Sequence, residues 1–299
     1  MSSLTIHSQQ GSVTRGHAAF GSIVFVSTIM FWRALGGLVS YSLSQESASH
    51  VVLIPFISAF LLFTERDRIF SVVRPSIPLG ASLIFLGGIA YWKLGSGSLP
   101  LATLALVFVW VGAFVCSYGL AAARAAAFPL LFLLLMVPLP DATLAWTIQL
   151  LQQGSTEVAY LLFKLLGVPV LRQGFILSVP TVTIEVAVEC SGIRSSVALL
   201  ITCLLAAHFY LRTSWKILLF ILLVIPLTVI KNGIRIATLT LLSIYVDPSF
   251  LHGSLHRDGG FVFFFLALVL LLPVLLLLEK SEHRPSTPGR GGLKQALLP

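Results

Sequence analysis

The chain has 299 residues, 57% of them hydrophobic and only 10% charged, with a mean hydropathy of +0.98. A soluble domain carries roughly 25% charged residues, so the composition excludes a soluble globular protein and leaves no separate water-soluble domain with its own core. The formal charge of +8 does not point to nucleic acid, because the basic residues stand singly at the ends of apolar spans, where they orient a membrane protein.

Residues 1–17 are polar, carry one arginine, Arg15, and lead into an apolar run. No small-x-small cleavage site follows, so the run reads as a retained first helix behind a short cytoplasmic segment. A crossing helix needs about 20 mainly apolar residues. By that measure about eight candidate spans follow, near 18–40, 51–64, 77–93, 98–122, 125–140, 191–211, 217–246 and 259–279, the second and fifth being short. This predicts an all-α polytopic membrane protein, with one multi-pass domain over residues 18–280 embedded in lipid. Arg15, Arg66, Arg68, Arg74, Arg124, Arg212, Lys216, Lys280, Arg284, Arg290 and Lys294 fall on one side, the cytoplasmic one by the positive-inside rule. Glu46, Asp141, Glu157, Glu185, Glu189, Asp247 and Asp258 fall on the other. Both termini are then inside, and residues 281–299, rich in Gly, Pro and Ser, read as a disordered cytoplasmic tail. The sequence shows no internal repeat.

Residues 141–190 differ from the rest. The apolar stretch 143–166 also carries Gln, Thr and Glu, which suits a helix lying partly in the outer interface. From Gly167 to Val188 the residues alternate and are rich in β-branched types, with Gly and Pro between, which predicts a short β hairpin on the outer side. That hairpin feeds straight into Cys190.

Cys116, Cys190 and Cys203 form no CxxC pair and no metal-type spacing, so neither a metal nor a cofactor is expected. Cys116 and Cys203 lie inside apolar runs and read as small buried hydrophobes. Cys190 stands where the extended run meets a long apolar helix. Unpaired amides and the dipole at a helix N-terminus favour a thiolate, which is the nucleophilic form. Fourteen uncharged residues, 217–230, precede Lys231-Asn232-Gly233-Ile234-Arg235. At 1.5 Å per residue Arg235 then lies about 27 Å along its helix, near the outer face, and Asn232 shares its helix side. His256 precedes the last span and suits general acid–base work near neutral pH; His252 is a rival for that role. Each residue alone has an ordinary reading: a packed inert thiol, an arginine snorkelling to headgroups, a loop histidine. Together, topology brings a thiol, a guanidinium and an imidazole to one membrane face. These are the parts of a nucleophile, an oxyanion or thiolate stabiliser and a proton donor.

The segments Glu189-Cys190-Ser191-Gly192-Ile193-Arg194-Ser195, Asn232-Gly233-Ile234-Arg235-Ile236 and His256-x-x-x-Gly260-Phe261 resemble, in order, the three motifs of the exosortase/archaeosortase family. The resemblance runs over roughly residues 40–280. Where the family often has Ser-His-Gly near the second span, this chain has Ser49-His50-Val51. The resemblance implies a multi-pass cysteine transpeptidase of the plasma membrane's outer leaflet, analogous to sortases. It implies Cys190, Arg235 and His256 as the catalytic set, with Glu189, Ser191, Gly192, Arg194, Asn232 and Gly260 in support; Arg194 is also placed to pair with Glu189 or Glu185. The implied partners are exported proteins ending in a short PEP-like motif, a transmembrane helix and a basic cluster, with an acceptor amine or lipid of unspecified identity. Two other readings compete. A transporter or channel component for envelope polysaccharide suits intramembrane Lys231 and Arg235, but such a protein should show a repeat or paired broken helices. A non-catalytic assembly factor is separated from the enzyme by the Cys190→Ala phenotype.

Overall fold

The computed structural model describes residues 2–95, 97–251 and 260–282. Contacts divide the chain into two units, Met1–Ile148 and Gln149–Pro299.

In the first unit, α1 (Ser2–Met30) and α2 (Trp32–Ser44) meet at a 74° bend around Phe31. Phe31 is 2% exposed and its ring lies 4.0 Å from that of Tyr91. Helices α3 (Ile54–Thr64), α5 (Ile77–Ala90) and α6 (Leu99–Ala125) each begin with Pro in the first turn, where its missing N–H costs nothing and its fixed φ suits a helix. Between α3 and α5 lies the single turn α4 (Arg66–Ile69). Helices α5 and α6 touch at backbone distance: a Cβ on Gly80 would sit 2.4 Å from the Cys116 nitrogen, and one on Gly87 would sit 2.7 Å from the Ala105 carbonyl. Helix α6 breaks at Gly119, whose φ of +88° is open to glycine but not to a side chain. The Arg74 carbonyl occupies the place a Cβ would need, and the Arg74 amide donates to Tyr118 O at 3.1 Å, so the chain entering α5 seals the break. Beside it, His17 meets Phe70 and Phe20 meets Phe114 edge to face, Phe70 lies tilted against Tyr118, and the Tyr118 hydroxyl meets His17 Nδ1 at 2.7 Å. Helix α7 (Ala127–Phe132) and a 3-10 turn (Leu133–Met136) follow.

The long helix α8 (Asp141–Leu165) leads into a three-stranded antiparallel sheet in the order β1 (Leu171–Gln173), β2 (Ile176–Val179), β3 (Val182–Glu185). Leu177 pairs with Ile184 and Ser178 with Thr183. Alternation sends Leu177 and Val179 of β2 into a core with Ala159 and Phe163 of α8 and with Ile236 and Ala237 from later in the chain. Burying Leu177 fully stabilises this docking by about 1.5–3 kcal/mol. A 3-10 turn (Val188–Ser191) then joins the sheet to α9 (Ile193–Tyr210), α10 (Ser214–Tyr245), a second such turn (Pro248–Leu251) and α11 (Gly260–Glu282). Leu199 and Cys203 of α9, Phe220 and Val224 of α10, and Ala267 and Leu271 of α11 share one core. The Glu282 carboxylate accepts from the Arg212 and Thr213 amides at 2.9 Å each and lies 3.8 Å from Lys216 Nζ, closing the turn that starts α10.

The chain is an all-α polytopic membrane protein with a small β element. Among the described residues five helices are long and apolar enough to cross, or up to seven if each bent pair is one span. The sequence count of eight differs for a reason of length. The expected span 51–64 is the 11-residue α3, about 16 Å long and half a hydrocarbon core. The expected span 125–140 is two short pieces that qualify only when taken with α8 as a bent pair. The stretch expected at the interface, 143–166, is the 25-residue α8 itself. The expected hairpin has a third strand. The expected N-terminal segment 1–17 is helical from Ser2, and residues 283–299 of the expected tail lie outside the described residues.

Candidate functional site

The site is built on α8, α9 and α10. Small residues let α8 and α10 meet closely: a Cβ on Gly233 would lie 2.5 Å from the Val158 side chain, and one on Gly154 would lie 2.8 Å from that of Val229. Close backbone approach through small residues is how helices associate where lipid removes the hydrophobic drive. Within this contact runs a polar strip. Gln152 Nε2 donates to the Val186 carbonyl at 2.8 Å, tethering the end of the sheet to α8. Ser155, wholly buried, accepts from Asn232 Nδ2 at 3.0 Å, and Thr156 donates to the Gln152 carbonyl at 2.7 Å.

Asn232 is 1% exposed and touches a second element. Gly192, the cap of α9, has φ +74° and ψ 14°, and a Cβ there would meet Asn232 Oδ1 at 2.7 Å. Glycine is therefore required at 192 twice over, by the left-handed backbone and by contact with Asn232. This places the turn Val188–Ser191, with the Cys190 backbone in it, immediately before the amino end of an 18-residue helix. The Gly192 carbonyl accepts from the Ser196 amide at 3.0 Å, the Ser196 hydroxyl at 2.6 Å and the Ser195 hydroxyl at 3.1 Å. Ser191 is wholly buried, and its Oγ takes a long bond of 3.4 Å from the Ile193 amide.

Arg235 is half-buried on α10, three residues beyond Asn232 and four beyond Lys231. At 1.5 Å per residue it lies about 31 Å from Ser214, one hydrocarbon thickness along the helix. Lys231 is 2% exposed and donates to Ser195 Oγ at 2.6 Å. Arg194 is exposed, and among the described residues no ion pair joins it to Glu185. Gly260 opens α11 with no atom within 4 Å of where a Cβ would sit, so packing does not demand glycine there.

The structure thus brings the Cys190 turn, Gly192 and Asn232 together on the helix that carries Arg235. The side chains of Glu189 and Cys190, and all of residues 252–259 with His252 and His256, lie outside the described residues. Beyond α10, the Asp247 carboxylate accepts from the Ser249 side chain and from the Ser249 amide, the latter at 2.7 Å, and these bonds hold its carboxyl below the usual range. Among the described residues no three His, Cys, Asp or Glu side chains gather as metal ligands. Cys203 is buried in the helix core, while Cys116 is half-buried with Sγ 3.6 Å from the Ile77 carbonyl.

Sequence reasoning missed Gln152, Ser155, Ser195 and Lys231 as parts of the site. Gln152 and Ser155 are three apart and share one side of α8, but the helix also carries Gln149, Gln153, Thr156 and Glu157, so polarity alone did not single out that side.

A comparison with protein families matches residues 42–273 to the family described as transmembrane exosortase (Exosortase_EpsH). No curated protein and no solved structure matches the chain.

Proposed function

The chain belongs to the transmembrane exosortase family, and from that premise we propose that it is a membrane-embedded cysteine transpeptidase. In this reading it cleaves the C-terminal sorting signals of exported proteins at the outer face of a bacterial plasma membrane and passes them to a surface acceptor. The supporting observation is the left-handed Gly192 turn, pressed against Asn232. It fixes the Cys190 turn at the positive end of α9, beside the helix that bears Arg235.

The substrate is an exported protein with a short PEP-like motif, one transmembrane helix and a basic cluster. Its helix docks among the spans, so the motif reaches the outer interface in extended form. The Cys190 thiolate attacks the scissile carbonyl carbon, forming a C–S bond and a tetrahedral oxyanion. Arg235 stabilises that negative charge. The C–N bond breaks as His256, or His252 in its place, gives a proton to the departing amine. The thioester on Cys190 is then attacked at its carbonyl carbon by an acceptor amine, or by water; the C–S bond breaks to release the thiolate, and the proton lost by the attacking group returns to the imidazole. Glu189 and Arg194 flank the nucleophile; Ser191, Gly192 and Asn232 hold its turn; Gly260 begins the helix after the histidine segment.

The test follows a tagged substrate bearing an intact C-terminal signal, in cells making each variant. Cys190→Ala is expected to abolish maturation while the protein stays in the membrane, and Cys190→Ser to be nearly as damaging. Arg235→Lys is expected to impair the reaction, since an ammonium lacks the planar fork. Normal maturation with Cys190→Ala would end the enzyme reading and leave a transporter or assembly role.

A further inference from the structure

Lys231 has no part in the chemistry just outlined, yet its placement is costly in three ways. It is 2% exposed, within a 32-residue apolar helix, and among the described residues no carboxylate pairs with it. An intramembrane ammonium is expensive and marks function by default. It lies four residues from Arg235, a spacing at which like charges repel across one helix turn. Its partner is Ser195, in the first turn of α9, so a cation sits at the end of a helix where the dipole favours an anion. All three costs are relieved by one event, the appearance of negative charge beside the amino end of α9.

The bonds around Lys231 lead to that place. Its Nζ donates to Ser195 Oγ at 2.6 Å, and the Ser195 hydroxyl donates to the Gly192 carbonyl at 3.1 Å. That carbonyl also takes the Ser196 hydroxyl at 2.6 Å. The carbonyl of Gly192 and the amide N–H of Ile193 belong to one peptide unit, so donors crowding the oxygen polarise the N–H at the other side of the unit. Cys190 lies two residues before Gly192.

We propose that Lys231 is a positioning residue of the thiol site: through Ser195 it fixes the Gly192 turn, and with Arg235 it supplies the positive surroundings in which Cys190 works as a thiolate. The inference rests on the reading of Cys190 as the nucleophile, and its test separates the two. Full-length protein in membranes is treated with a small neutral alkylating agent, and mass spectrometry follows the peptide containing Cys190. Substrate maturation is measured in parallel. Lys231→Met is expected to slow alkylation of Cys190 about tenfold, as one unit of lost thiolate stabilisation would. It should lower kcat to a similar degree with little change in KM. Lys231→Arg, which keeps the charge, should recover most of both rates, and Ser195→Ala should show a smaller loss in the same direction. A packing role would instead leave alkylation unchanged or speed it by loosening the turn, and either result overturns the inference. If Lys231→Met does not accumulate in the membrane, Ser195→Ala decides by the same readout. Normal maturation by Cys190→Ala would sink the transpeptidase reading alone; an unaltered Cys190 alkylation rate in Lys231→Met would sink this inference alone.

Discussion

Two helix contacts in this chain solve the same packing problem differently. Helices α5 and α6 close on each other through Gly80, Gly87 and Gly112, with backbone and aliphatic atoms filling the space. Helices α8 and α10 close through Gly154 and Gly233, yet the same seam contains Ser155 and Asn232, with Lys231 one position before Asn232. Van der Waals contact through small residues can hold helices together in lipid, and the first contact is of that kind. The polar groups of the second are therefore not needed for adhesion. They fix the rotation of α10 against α8 and the position of the turn before α9, which is what a reacting group requires and a packing contact does not.

Breaking the second seam should stop the reaction before it unfolds the protein. The largest effect is expected from Gly192→Ala. Left-handed backbone costs a non-glycine residue roughly 1–2 kcal/mol, and the new methyl would press on Asn232 Oδ1. Displacement of a nucleophile by about 1 Å costs on the order of a hundredfold in rate. Substrate maturation should therefore fall at least that far, while membrane yield falls little; retained activity would show that the turn does not position Cys190. Next comes Asn232→Ala, which leaves Ser155 unpaired and opens space beside Gly192. A single interhelical hydrogen bond in a membrane is worth about 0.6 kcal/mol and at most about 1.7. The thermal midpoint should move slightly, whereas kcat should drop by about ten- to a hundredfold.

The first seam should respond the other way. Gly80→Val would put a side chain onto the Cys116 backbone, and overpacking of this kind costs about 1–3 kcal/mol. A lowered thermal midpoint with the surviving protein turning over normally is the expected pattern. Equal losses of kcat in both seams would erase the distinction between them. The smallest effect concerns His50, where burial lowers the imidazole pKa against the opposing pull of hydrogen bonds to the Leu135 and Ser47 backbone. The folded state thus keeps His50 neutral. Its contribution is present above the unfolded value of about 6.5 and is lost as pH falls through the folded value. Melts in detergent between pH 7.5 and 5.5 should show a modest acid-side loss that His50→Gln flattens.

How much of this was legible in the sequence depends on the range of the interaction. The sequence puts Cys190 where an extended run meets an apolar helix; the structure adds a 3-10 turn there, Val188–Ser191, and a left-handed Gly192 before the helix starts at Ile193. Arg235 in an apolar run is likewise a local signal. The β element was readable from alternation between Gly167 and Val188, although its division into three strands over 171–185 was not. The buttress was not readable. Gln152 finds Val186 34 residues away, and Ser155 finds Asn232 77 residues away; composition does not encode such pairings. The count of about eight and the five to seven found among the described residues part where hydropathy runs on through a bend, as between Ala127–Met136 and Asp141–Leu165, because apolar character persists across a turn.

The Glu282 carboxylate on the Arg212 and Thr213 amides has a consequence for biogenesis. Residue 282 is synthesised 70 residues after Arg212. The loop that launches α10 therefore emerges from the ribosome with those amides open, and it closes only after the whole of α11 has been made and inserted. The helix bearing Lys231 and Arg235 acquires its final anchor late, so an incomplete chain does not carry a finished site. A chain ending at residue 281 should insert normally yet show faster proteolysis at the 211–213 turn than one ending at residue 284, and equal protection of the two would disprove the coupling.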